Sequence, residues 1–150
     1  MISSKKVINE LIQENNNLLK SFLPDSNYSF NLESIKNFKK FQTVIVVGMG
    51  GSILGAKAIY SFLKYKIKKE FVFINDLDQG LLKKIKKEYS LSKSLFLVVS
   101  KSGNTNETIV NLSYFKSFLK KSNTIVVAEN KNNFLSSFAR NKGFSFIKHN

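Results

Sequence analysis

The chain has 150 residues, 43% of them hydrophobic, which is one domain of ordinary size able to bury about 68–70% of its unfolded surface. It has no cysteine and a single histidine, so neither a disulfide, a thiolate metal site nor a histidine-rich one is available. The net charge is +14, carried almost entirely by lysine, with Arg140 the one arginine.

Such a charge raises nucleic acid as a partner, because lysines displace counterions from phosphate backbones. Nucleic-acid binders usually add arginine for bidentate contacts. Here the lysines alternate with apolar positions, as in Lys64-Tyr65-Lys66-Ile67-Lys68-Lys69 and Lys83-Lys84-Ile85-Lys86-Lys87, and read as solvated faces. Abundant Lys, Asn, Ile and Phe look like codon bias in an AT-rich genome. We therefore expect no nucleic-acid partner, although a basic surface still attracts small anions. No apolar run approaches the ~20 residues of a membrane helix. Glu10, Glu14 and Asn15-Asn16-Asn17 interrupt any signal-peptide core. A cytoplasmic protein with no membrane partner is expected.

Ser3 or Ser4 can cap a first helix, whose stripe is Val7, Ile8, Leu11, Ile12, Leu18, Leu19, Phe22 and Leu23. Pro24 and Asp25 end it. A second, shorter helix is read over Phe30–Phe41, with Leu32, Ile35 and Phe38 on one face. Residues 1–42 thus form a helical arm ahead of a domain at 43–150.

That domain opens with Val44–Val47, a short β-branched run with the signature of a buried strand. Gly48-Met49-Gly50-Gly51-Ser52 stops it. Ile53, Leu54, Ala58, Ile59, Phe62 and Leu63 then return at helical spacing. A strand thus enters a glycine-rich turn that opens a helix. The first helical amides lack intrahelical partners, which suits a phosphate.

The alternation continues. Strands are expected at Phe71–Ile74, Leu95–Val99, Thr124–Ala128 and Phe144–Ile147. Helices are expected at Asp76–Tyr89 (Leu81, Leu82 and Ile85 inward), Ile109–Leu119 and Lys131–Arg140 (Phe134, Leu135 and Phe138 inward), with Gly143 just past the last. Continuous apolar strands between helices imply an α/β, three-layer, doubly wound parallel sheet, in the flavodoxin-like order 2-1-3-4-5. The ligand crevice of that order lies at the carboxyl ends of strands 1 and 3. Those ends carry Gly48–Ser52 and Ser100–Thr105.

The second turn, Ser100 to Thr108, offers hydroxyls, a lysine and helix-opening amides, the makings of a phosphate-monoester cradle. A plainer reading is a capped helix start, with Asn104 and Glu107 as a capping box. That accounts for Glu107, but not also for Ser100, Lys101, Ser102 and Thr105. Nucleotide readings fit less well. Gly55-Ala56-Lys57 fails the P-loop pattern. Gly48-x-Gly50 is followed by Ile53 where a dinucleotide fingerprint needs a small residue. Asp76 could meet a ribose but is more simply a helix cap.

Gly48-Met49-Gly50-Gly51-Ser52-Ile53-Leu54-Gly55 resembles the Gly-Ile/Met-Gly-Gly-Ser-x-Leu-Gly signature of the glucose-6-phosphate isomerase family. Ser100-Lys101-Ser102-Gly103-Asn104-Thr105-Asn106-Glu107-Thr108 resembles its second motif, Ser-Lys-Ser/Thr-x-Thr-Thr-x-Glu-Thr, with Asn104 in place of the first threonine. The resemblance covers Thr43 to Ile147 and implies a sugar isomerase (SIS) domain. It implies a hexose-phosphate ligand held at its phosphate by Ser100, Lys101, Ser102, Thr105 and Thr108, with Gly51 and Ser52 lining the sugar end. It implies interconversion of glucose 6-phosphate and fructose 6-phosphate in glycolysis and gluconeogenesis, no cofactor, no metal, and a homodimeric full-length enzyme.

The family's catalytic glutamate, histidine, lysine and arginine lie in later segments, the arginine in a Gly-Gly-Arg motif soon after the fifth strand. The chain holds no Gly-Gly-Arg, and no glutamate in the family's base motif. His149 reads as a tail residue and Glu129 has no family match. No catalytic residue is assigned. The chain is expected to be the N-terminal portion of an isomerase, inactive alone. It is also expected to self-associate through an apolar edge at Phe144, Phe146 and Ile147. The alternative is a stand-alone SIS module that binds a sugar phosphate without catalysis.

Overall fold

A computed structural model describes residues 31–149. The helix read over Ser3–Leu23 lies outside the described residues. Five strands form one sheet: β1 (Thr43–Gly48), β2 (Glu70–Ile74), β3 (Leu95–Val99), β4 (Thr124–Glu129) and β5 (Ser145–His149). All pairings are parallel and the order is β2-β1-β3-β4-β5, as the sequence pattern implies. The helices between them are α1 (Gly51–Leu63), α2 (Gln79–Glu88), α3 (Asn106–Tyr114) and α4 (Phe134–Lys142).

Crossover handedness decides which face each helix covers. The step from β1 to β2 runs one way along the sheet and every later step runs the other way. Right-handed crossovers then put α1 on one face and α2, α3 and α4 on the opposite face. The packing agrees. Leu82 and Ile85 of α2 join Ile45, Val47, Ile74, Phe96 and Phe115 in one buried cluster. Leu112 of α3 and Leu135 and Ala139 of α4 join Val98, Val126, Ala128 and Phe144 in the next.

The opposite face is thinner. Ile53 is the one buried residue of α1; it packs with Val44, Val46, Leu95 and Ile125, and with Phe38 and Phe41. The segment Leu32–Phe38 is a 3-10 helix, shorter and tighter than the helix expected over Phe30–Phe41, and Leu32 is exposed. Beside it runs an apolar groove of about 470 Å³, walled by Ile35, Phe38, Phe71, Leu97, Val127 and Ile147 among others. Leu54, Ile59 and Phe62 of α1, which recur at helical spacing in the sequence, are exposed, and Phe62 is 77% exposed. Helical spacing locates a stripe but not what it faces.

Other boundaries shift for local reasons. Helix α2 begins after Asp78, whose carboxylate accepts from the Leu81 amide, so Asp78 and not Asp76 is the cap. Helix α3 begins at Asn106 rather than Ile109, and its last residues tighten into a 3-10 turn, Lys116–Phe118. Helix α4 begins at Phe134, after a capping box between Asn133 and Ser136. Phe134 is consequently exposed, while Leu135 is fully buried. Gly143 caps α4 in the left-handed conformation at φ 65°. Strand β5 runs two residues beyond Ile147, to His149, and is an edge of the sheet. Among the described residues no helix is long and apolar enough to cross a membrane.

Candidate functional site

The two turns singled out in the sequence lie side by side. Strands β1 and β3 are hydrogen-bonded neighbours, and Gly48 is in register with Val99. A side chain at Gly48 would come within 2.8 Å of the Val99 carbonyl oxygen, so the close approach of the two strand ends depends on glycine there. The chain then turns through Gly50, at φ 50°, into α1, which has no side-chain cap. The Ser52 amide donates to the Met49 carbonyl and the Ile53 and Leu54 amides to that of Gly50, all at 3.1 Å, which leaves the Gly51 amide open to the crevice.

The turn after β3 is built differently. Ser100 is buried, and its hydroxyl lies 2.9 Å from that of Thr105 and accepts from the Gly103 amide at 3.2 Å. The Ser102 hydroxyl accepts from the Asn104 amide at 3.3 Å. Backbone bonds join this turn to β4: Ser100 donates to the Val127 carbonyl, and Glu129 donates to that of Lys101, both at 3.0 Å. Gly103 has φ 69°, a region that favours glycine, and a methyl group there would overlap the side-chain amide of Asn133.

Asn104 makes no capping box with Glu107. Thr105 is the residue before α3, and it forms no side-chain cap. The Asn104 side-chain oxygen instead accepts from the Phe134 amide at 2.8 Å, and the Gly103 carbonyl accepts from Leu135 at 3.0 Å. The residue that departs from the family motif thus fastens the turn to the start of α4. The first turn of α3 keeps its amides unclaimed by any side-chain cap.

Between the turns lies a cavity of about 540 Å³ lined by Gly51, Ser52, Val99, Lys101, Val127 and His149. Gly51, Ser52 and Lys101 therefore meet on one space. Ser100, Ser102 and Thr105 stand in the adjoining turn and are not among its lining residues. Ser102 is exposed and Thr105 half-buried. Thr108 is fully buried on α3, with a hydroxyl that has no partner.

His149 was read as a tail residue, yet it is a strand residue on the cavity wall. Period-two alternation along β5 could have found it. Phe146 packs toward α4, Ile147 packs on the α1 face, and His149 follows Ile147 by two. Its register partner is Glu129. The Glu129 carboxyl is held below its ordinary pKa, mainly by the Lys131 ammonium 2.7 Å away, with Lys101 and His149 adding to this and burial opposing it. Asp76, weighed as a ribose contact, supplies its backbone carbonyl to the Asn111 amide at 2.8 Å.

The phosphoglucose isomerase family model matches residues 6–141, most of the chain. This chain belongs to the phosphoglucose isomerase family. The glucose-6-phosphate isomerase of Borrelia garinii subsp. bavariensis is 39% identical over 99 residues, covering 62% of this chain and 18% of that protein. That of Methanocaldococcus jannaschii is 38% identical over 97 residues, covering 65% and 24%. That of Mycoplasma genitalium is 30% identical over 136 residues, covering 81% and 32%. A crystal structure of a glucose-6-phosphate isomerase from Chlamydia trachomatis superposes with a TM-score of 0.64 at 25% identity, over 78% of this chain and 24% of that one. The chain thus spans at most about a third of these phosphoglucose isomerase relatives.

Proposed function

We propose that this chain is the phosphate-holding portion of a glucose-6-phosphate isomerase, the enzyme that interconverts glucose 6-phosphate and fructose 6-phosphate in glycolysis and gluconeogenesis. The observation that carries the reading is the meeting of Gly51, Ser52 and Lys101 on one cavity at the β1–β3 switch point, where a doubly wound sheet takes its ligand. The phosphate rests on the Ser100–Thr105 turn. The α3 amides and the Lys101 ammonium neutralise it, and the Ser102 and Thr105 hydroxyls complete its hydrogen bonds. Gly51 and Ser52 border the sugar. The Thr108 hydroxyl, buried and without a partner, makes no direct contact with the phosphate in this reading.

Aldose–ketose isomerisation opens the ring and then moves a proton between C2 and C1 through an enediol. That needs a base, a ring-opening acid and a cation for the enediolate. These groups come from segments of the full enzyme other than this one, a cytoplasmic homodimer in which residues 1–42 are an arm and 43–150 the SIS domain. The 150 residues alone bind hexose phosphate and do not turn it over. Isothermal titration with glucose 6-phosphate, beside a coupled isomerase assay on protein free of host enzyme, tests both statements. Turnover by the isolated chain would overturn the division of labour, and absence of binding would overturn the phosphate site. A stand-alone sugar-phosphate module is the second reading. Its support is that no described residue supplies a proton-transfer group matching the family's motifs.

A further inference from the structure

We propose that His149 is a second cationic contact for the ligand's phosphate, facing Lys101 across the crevice and making anion retention stronger as its imidazole gains a proton. This rests on the phosphate site proposed above. His149 and Lys101 line the same cavity from opposite sides of β4, one on β5 and the other after β3. The cavity wall between them is Val127, an apolar residue that offers an anion nothing. At about 540 Å³ the space has room for a phosphate between Lys101 and His149 and for the sugar toward Gly51 and Ser52.

The charged groups facing the imidazole are few. Glu129 on β4 is its register partner and is paired with Lys131. Lys101 lines the same cavity. A bound dianion pairs with the imidazolium and lies between it and the Lys101 ammonium. Imidazole is the side chain whose charge ordinarily changes near pH 6.5. Binding an anion there must therefore draw a proton onto the ring, and acidification must tighten binding by the same factor.

The chain has a single histidine, so its imidazole resonances are unambiguous. The experiment is an NMR titration of the labelled 150-residue protein from pH 5 to 8, with and without sodium sulfate, at constant ionic strength. Sulfate is chosen because its charge is fixed over that range, whereas a phosphate monoester itself titrates near pH 6. The expected result has two parts. The Lys101–Asn104 amides shift saturably. The histidine midpoint rises enough to make sulfate binding about three- to tenfold tighter at pH 5.5 than at pH 8, less than a buried charge-assisted hydrogen bond because the imidazole is exposed. His149→Gln, at an exposed position, flattens that dependence. Saturable amide shifts with an unmoved histidine midpoint would overturn the role of His149 and leave the phosphate turn standing. No saturable shift at the turn at any pH would overturn the phosphate site itself, and this inference with it.

Discussion

The two turns at the carboxyl ends of β1 and β3 face the same crevice but are made in opposite ways. The Gly48–Ser52 turn is bare. It has no side-chain cap, and a methyl group at Gly51 would meet nothing within 4 Å. The Ser100–Thr105 turn is tied by its own hydroxyls and by Asn104, and it is bound to β4 and to the start of α4. A site for a small anion gains most when its donors are held in place beforehand, because ordering a loop on binding costs affinity. The second turn has that preorganisation. The first offers open backbone, which in the proposed reading borders the sugar. Nothing in the fold fills the space a side chain at Gly51 would take.

Substitutions separate these two designs. The largest effect is expected from Gly103→Ala. It forces a side chain into the left-handed region and displaces Asn133, the cap of α4, for a combined loss of about 2–4 kcal/mol. Thermal or urea unfolding reads it, and a loss below ~1 kcal/mol would show that the second turn is not rigidly held. Asn104→Ala comes next. It orphans the Phe134 amide and should cost about 1 kcal/mol, with a matching drop in hexose-phosphate affinity as the turn loosens.

Gly51→Ala should act the other way round. Stability should stay within about 0.5 kcal/mol of the parent, since the added methyl touches nothing, while titration calorimetry shows weaker sugar-phosphate binding. Unchanged binding would deny the first turn its role. The smallest effect concerns Glu129, which holds Lys131 beside the second turn. A carboxyl whose pKa is lowered by folding stabilises the protein above its unfolded pKa of about 4.5 and loses that contribution as pH falls through the folded value. A pH series of unfolding midpoints from 6 to 3 should therefore fall less steeply in Glu129→Gln.

Much of this was readable in the chain itself. The five strands stand out because parallel strands buried on both sides are short unbroken apolar runs, such as Leu95–Val99. Their order is a common one for five parallel strands with helices on both faces, and the place of the crevice follows from the order. Two features were not readable, and a third was readable but overlooked. The outward turn of Leu54, Ile59 and Phe62 depends on what lies over α1, and spacing cannot show that. The role of Asn104 is a contact between residues thirty apart, while a capping box is judged within four. His149 was missed because β5 was ended at its last apolar residue, although the alternation through Ile147 carries the strand two positions further.

The central claim is that the crevice between the two turns holds a hexose by its phosphate. Titration calorimetry of the 150-residue chain with glucose 6-phosphate and with glucose, each repeated on Lys101→Ala, tests it most directly. The account predicts saturable one-to-one binding of the phosphorylated sugar, none of glucose, and at least a tenfold loss, roughly the 1.5–3 kcal/mol of a charged hydrogen bond, in Lys101→Ala. Equal binding of both sugars, or affinity untouched by removal of Lys101, would contradict it.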